Sequence, residues 1–288
     1  MKWQRARRSS NVEDRRGGGG GGGFGIGRMS FGGIAVVVVI GLLLGKNPLE
    51  MLGLIGQMQQ NASAPQSSAP STPANDEASQ FVSAILGETE DVWDAIFRNS
   101  GSQYAKPNLV LFSGRVNSAC GGATAAVGPF YCPGDHKVYI DLSFFEQMKR
   151  QLGGGGDFAY AYVIAHEVGH HVQTLTGVSA KVNALRARGD VTGADGPLVR
   201  QELQADCYAG VWAHHGQKRH DWLEEGDIDE ALNTASAIGD DRLQKQATGT
   251  VVPDSFSHGS SAQRKRWFVR GFEGGNPAQC DTFAATTL

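Results

Sequence analysis

Two histidines separated by three residues, in His166-Glu167-Val168-Gly169-His170, constrain this chain more than any other feature. On a helix, four residues turn about 400°, so the two imidazoles share one face a single turn apart. That spacing lets both bind one metal ion, and Glu167 can then reach an attacking water as general base. The flanking residues support a helix from Phe158 to about Leu175, ending at Gly177. The pentad alone also fits a helix with two surface histidines and a glutamate, so a third ligand is needed.

Metzincins place glycine and histidine where this chain has Gln173 and Thr176, which excludes that class. Thermolysin-like zincins take a glutamate from a later helix, in a Glu-x-x-x-Asp pattern. Glu202-Leu203-Gln204-Ala205-Asp206 supplies one. Glu202 and Asp206 share a helical face, set among Leu203, Ala205, Tyr208, Ala209, Val211 and Trp212. Carboxylates in such surroundings need partners. The expected metal ligands are therefore His166, His170 and Glu202, holding one Zn²⁺ per chain. Asp206 would accept the free N–H of a ligating imidazole. His258, in Ser257-His258-Gly259-Ser260, is a candidate to stabilise a developing oxyanion, with a helix-capping role as the alternative. Arg264 is a supporting candidate, His171 an outer or surface residue, and His214, His215 and His220 surface residues.

Charge is distributed unevenly. Residues 1–28 carry a net +5 and the remainder −8. An uncharged apolar run, Ser30 to Gly45, follows the basic head. As a helix it would reach about 24 Å, slightly short of a roughly 30 Å hydrocarbon core, and flanking Arg28 and Lys46 can snorkel. The positive-inside rule then puts the N-terminus in the cytoplasm and all that follows Lys46 across the membrane. A cleaved signal peptide is the alternative reading. The expected organisation is a basic, Gly-rich cytoplasmic segment over 1–28, a transmembrane signal anchor over 29–46, a low-complexity linker over 47–77 and a folded domain over 78–288. An acidic body with its basic charge beside an anchor argues against a nucleic-acid partner.

All four cysteines, Cys120, Cys132, Cys207 and Cys280, follow the apolar run, and their even number permits two disulfides in an oxidising compartment. Three pairings are possible. Cys120–Cys132 with Cys207–Cys280 is the expected one, and reduced thiols are the alternative. Helical spacing recurs over 81–97, 198–215, 226–246 and 260–272, with a short helix after Ser143. Strands are expected at Leu109–Phe112 and at 138–142. Residues 137–142 are the candidate edge strand for aligning a substrate backbone. Gly153 to Gly156 read as a loop able to cover the site. The sum is an α+β domain, mostly helical with a small sheet.

The chain resembles the bacterial YpfJ-like neutral zinc metallopeptidases. The resemblance rests on Trp3-Gln4-Arg5, on Asn11-Val12-Glu13-Asp14-Arg15-Arg16-Gly17, on His166 to His170, on Gln201 to Gly210, on Cys132-Pro133 ahead of Val138 to Asp141, and on His258-Gly259-Ser260-Ser261. It implies a zincin-like fold and a membrane-anchored zinc peptidase of the bacterial envelope acting on peptides or proteins. Glu202, Ala205 and Asp206 are also similar to a segment of the HtpX-type membrane peptidases, in which a histidine near the start of a late helix favours the role given to His258. A non-catalytic envelope binding protein that keeps a structural zinc is the competing class. Structural sites usually have four protein ligands, and only three are assigned here.

Overall fold

The structure, a computed structural model, describes residues 1–16, 76–152, 155–189 and 191–288. Eight helices are among them: α1 (Glu77–Asn99), α2 (Ser143–Leu152), α3 (Asp157–Leu175), α4 (Val178–Arg186), α5 (Pro197–His220), α6 (Asp227–Ala237), α7 (Asp240–Thr248) and α8 (Ser261–Gly274). Six strands accompany them: β1 (Val12–Asp14), β2 (Asn108–Phe112), β3 (Arg115–Ser118), β4 (Gly121–Thr124), β5 (Phe130–Cys132) and β6 (Lys137–Asp141). Four strands form one sheet in the order β1-β2-β6-β5, with β5 antiparallel to β6 and the other pairs parallel. β3 and β4 make a separate hairpin. The α+β class is as the sequence implies.

Local chemistry explains where the helices begin. The Asp76 side chain accepts the Ser79 N–H at 2.8 Å and caps α1. Pro197 opens α5, where a missing N–H costs nothing. Ser260 and Gln263 form a reciprocal capping box at the start of α8. The core buries Phe158, Tyr162, Trp212, Trp267 and Phe268 between α3, α5 and α8. α5 and α8 cross in close contact because Gly210 and Gly271 face each other's helix. A Cβ at Gly210 would collide with the Phe268 carbonyl, and one at Gly271 with the Cys207 carbonyl.

Four readings change. Residues 1–16, set apart in the sequence reading from a domain starting at residue 78, are packed into it: β1 pairs with β2, and Met1, Trp3, Ala6 and Val12 are buried. The sequence marks this segment by its charge, but its structure depends on alternating buried residues too short a run to stand out. The 226–246 helix is two, α6 and α7, broken at Gly239, where a Cβ would meet the Ser261 backbone. The 137–142 strand is β6, which lies inside the sheet with both edges paired; the edge strand on that side is β5. His171 is fully buried rather than on the surface.

The 29–46 anchor, the Gly17–Gly23 run and nearly all of the 47–77 linker lie outside the described residues, as do Gly153 and Gly154 of the proposed covering loop. Among the described residues no helix is long and apolar enough to cross a membrane. Of the three pairings open to four cysteines, the structure holds Cys120–Cys132 and Cys207–Cys280. The second ties the C-terminal tail to the middle of α5.

Candidate metal centre

α3 and α5 lie side by side, and Gly169 sets their separation. A Cβ there would stand 3.1 Å from the Ala205 Cα and carbonyl oxygen. This closeness brings His166 and His170 of α3 against Glu202 of α5. His166 Nε2 lies 3.2 Å from Glu202 Oε2, and His170 Nε2 lies 3.5 Å from Glu202 Oε1. One ligand atom from each residue can be chosen so that all three lie within 4.8 Å of one another. Tetrahedral zinc with bonds near 2.0–2.1 Å separates its ligand atoms by about 3.3–3.5 Å, so the donor types suit the ion and the two histidine–Glu202 separations match its spacing.

Both histidines are held from behind. His166 Nδ1 is 2.8 Å from Asp206 Oδ1. Asp206 is itself fully buried and receives the Tyr162 hydroxyl at 2.6 Å and the Arg264 guanidinium at 2.8 and 2.9 Å. Burial pushes the Asp206 carboxyl up, but Arg264 and His166 outweigh it and hold the pKa at about 2. The carboxylate therefore stays ionised and turns the Nε2 of His166 toward Glu202. His170 Nδ1 is 2.9 Å from Gln173 Oε1, while the Gln173 amide donates to the Gln201 carbonyl and the Gln204 side chain. Burial works against charging His170, yet the Glu202 carboxylate raises its pKa. Burial likewise opposes Glu202 ionisation and is overcome by His170 and His166, which hold it well below its usual range.

Glu167 is buried on α3 beside these ligands, facing the backbone of Tyr131. Burial raises its pKa, with His170 and His166 opposing. A carboxyl held this way is suited to accepting and releasing a proton. His258 stands on the loop before α8. Its Nδ1 contacts Asp240 Oδ1 at 3.2 Å and the Ser257 hydroxyl at 2.9 Å. Asp240 is fixed by the backbone N–H groups of Ser257, His258 and Gly259 at 2.7, 2.7 and 3.0 Å. Burial lowers the His258 pKa, but Asp240, with Glu202 nearby, leaves it raised.

The expected ligands and Asp206 thus come together, Arg264 joins them through Asp206, and Glu167 and His258 stand near enough to Glu202 to interact with its charge. Tyr162, Gln173 and Asp240 were not singled out from the sequence. Tyr162 lies four residues before His166 and Gln173 three after His170, so helical spacing could have found both. Asp240 lies 18 residues before His258, with no periodic signal. His171 faces the other way, with Nε2 at 2.6 Å from the Ala105 carbonyl and Nδ1 at 3.1 Å from the Tyr131 hydroxyl. It ties α3 to edge strand β5. His214 and His215 bond the carbonyls of Phe272 and Gly275, and His220 meets buried Glu88.

Residues 1–283 match the model of a family described as "Putative neutral zinc metallopeptidase". The protein YpfJ of Escherichia coli (strain K12), itself uncharacterised, is 50% identical over 286 residues, 98% of this chain and 99% of its own. Uncharacterised proteins of Mycobacterium bovis and Mycobacterium tuberculosis are each 45% identical over 222 residues, 74% of this chain and 74% of theirs. No solved structure matches the chain.

Proposed function

Because the chain belongs to the neutral zinc metallopeptidase family, we propose that it is a zinc-dependent endopeptidase whose metal is held by His166, His170 and Glu202. The observation that carries this reading is the convergence of those three donors with Glu167 buried beside them. Bound zinc would supply Lewis acidity to a water and to the scissile carbonyl. Glu167 takes a proton from the attacking water and delivers it to the leaving amine. His258, kept protonated by Asp240, donates to the oxyanion that develops on the carbonyl. Asp206, Arg264 and Tyr162 keep His166 in the tautomer that presents Nε2.

Peptide orientation is assigned to β5. It is the sheet edge nearest α3, and Tyr131 at its centre contacts His171 and faces Glu167. An extended substrate adding to that edge would have its backbone aligned by main-chain hydrogen bonds. A purely structural zinc has no use for a buried, raised-pKa glutamate beside its ligands, which favours an enzyme over a binding protein.

The test uses the purified, disulfide-intact protein with zinc content measured, incubated with a peptide library read by mass spectrometry. Wild type is run beside Glu167→Gln. Cleavage by wild type alone supports the reading and gives the first specificity data. Absence of cleavage by either, at one zinc per chain, sinks it in favour of a zinc-holding binding protein.

A further inference from the structure

The first sixteen residues are built into the domain by bonds of several kinds. The Leu109 N–H donates to the Asn11 carbonyl at 2.8 Å and the Arg15 N–H to the Leu111 carbonyl at 2.7 Å, so β1 completes an edge of the sheet. Glu90 of α1, almost fully buried, accepts from the Ser9 hydroxyl at 2.5 Å, the Asn11 amide at 2.7 Å and Arg7 at 2.7 Å. Ser9 and Ser83 exchange two further bonds at 2.9 and 2.8 Å. Trp3 is buried edge-on against Phe81, and its indole N–H donates to Asp157 at 3.0 Å, in the first turn of the metal-binding helix. Without this segment Glu90 would be a buried carboxylate stripped of its principal donors, which is costly.

The two ends of the segment between residues 16 and 76 also meet. The Arg16 guanidinium lies 2.8 Å from the Asp76 carboxylate. The chain therefore leaves the domain and returns to it at one point. In addition, three of the seven basic residues behind the positive-inside argument are held in ion pairs: Arg7 with Glu90 and Asp91, Arg15 with Glu13, and Arg16 with Asp14 and Asp76. A segment folded into the domain cannot be separated from it by a bilayer.

We infer that residues 1–16 and 76–288 occupy the same side of any membrane the chain engages. The inference is independent of the peptidase reading. It turns on docking of the N-terminal segment, and it replaces the expectation of a cytoplasmic head and an external body.

Two measurements on the full-length chain test it. Single cysteines are introduced at the exposed positions Gln4 and Thr250, one per variant, and probed with a membrane-impermeant maleimide on spheroplasts and after permeabilisation. Both variants are expected to label under the same condition. Labelling of one before permeabilisation and of the other only after it overturns the inference. The second measurement is the thermal midpoint of purified Gly87→Ala. A Cβ at Gly87 would collide with the Arg7 carbonyl, so a docked segment makes the substitution lower Tm. If the segment is not docked, alanine replaces a mid-helix glycine without that collision and Tm rises, which also overturns the inference.

Discussion

At the residue scale the tasks proposed for Glu167 and His258 are separable, and their variants should fail differently. Glu167→Gln removes the proton acceptor but keeps size and shape. It should retain one zinc and lose turnover by about 10²–10⁴-fold, compared by metal analysis and single-turnover peptide cleavage. His258→Ala should also keep zinc and lower kcat by about 10²–10³-fold, with KM little changed, if it serves the oxyanion. The Asp240–His258 pair adds a pH signature. The folded pKa of His258 is raised, so the stability it contributes is complete below about 6.5 and is lost as pH rises through the folded value. Asp240 has the opposite sign: burial pushes its carboxyl up, His258 and the surrounding N–H groups pull it below its ordinary 3.8, and its contribution is lost as pH falls through the lowered value. Activity that depends on protonated His258 should therefore fall on the alkaline side. Asp240→Asn should move that limb to lower pH without changing zinc content. An alkaline limb unmoved by Asp240→Asn would remove His258 from the mechanism.

At the scale of elements, the separation of α3 and α5 decides whether three ligands can share one ion. Gly169→Ala would bring a methyl group to 3.1 Å from Ala205 backbone atoms, which cannot yield as a flexible side chain can. The helix-propensity gain of up to about 1 kcal/mol is then outweighed by overpacking of roughly 1–3 kcal/mol. The expected result is a lower Tm together with weaker zinc binding in a competition titration. Equal or higher Tm would show that the helices have room. The same interface explains what the sequence revealed and what it concealed. His166, His170, Glu202 and Asp206 sit at helical spacing on long periodic segments, so their faces could be worked out by counting residues. β1, β3, β4 and β5 are three or four residues each, too short for a period-two pattern to rise above chance. Asp240 reaches His258 through a loop geometry that no periodicity encodes. The packing of residues 1–16 into the domain is not legible in the sequence, because ion pairs within a domain and a basic head beside an apolar run have the same composition.

Across the whole molecule, zinc held at the candidate site would fasten the same helix, α5, that the Cys207–Cys280 bond ties to the tail: Glu202 faces the histidines of α3, and Cys207 holds the tail. A metal that binds only the folded state stabilises it by mass action, at about 4 kcal/mol for free zinc a thousandfold above Kd. For a domain of this size each kcal/mol corresponds to roughly 2–4 °C, so chelation should lower Tm by about 8–16 °C. Reducing the disulfides should cost a further 2–5 kcal/mol or so, and the losses should be more than additive because both act on α5. Glu202→Ala separates metal from general fragility. It should start from the low midpoint and show little further response to chelator, whereas Glu167→Gln should respond as fully as wild type. Calorimetry with and without chelator on the three proteins checks this. A Glu202→Ala protein that still gains the full zinc increment would mean that α5 does not close the metal site, and the ligand set would have to be redrawn around His166 and His170 alone.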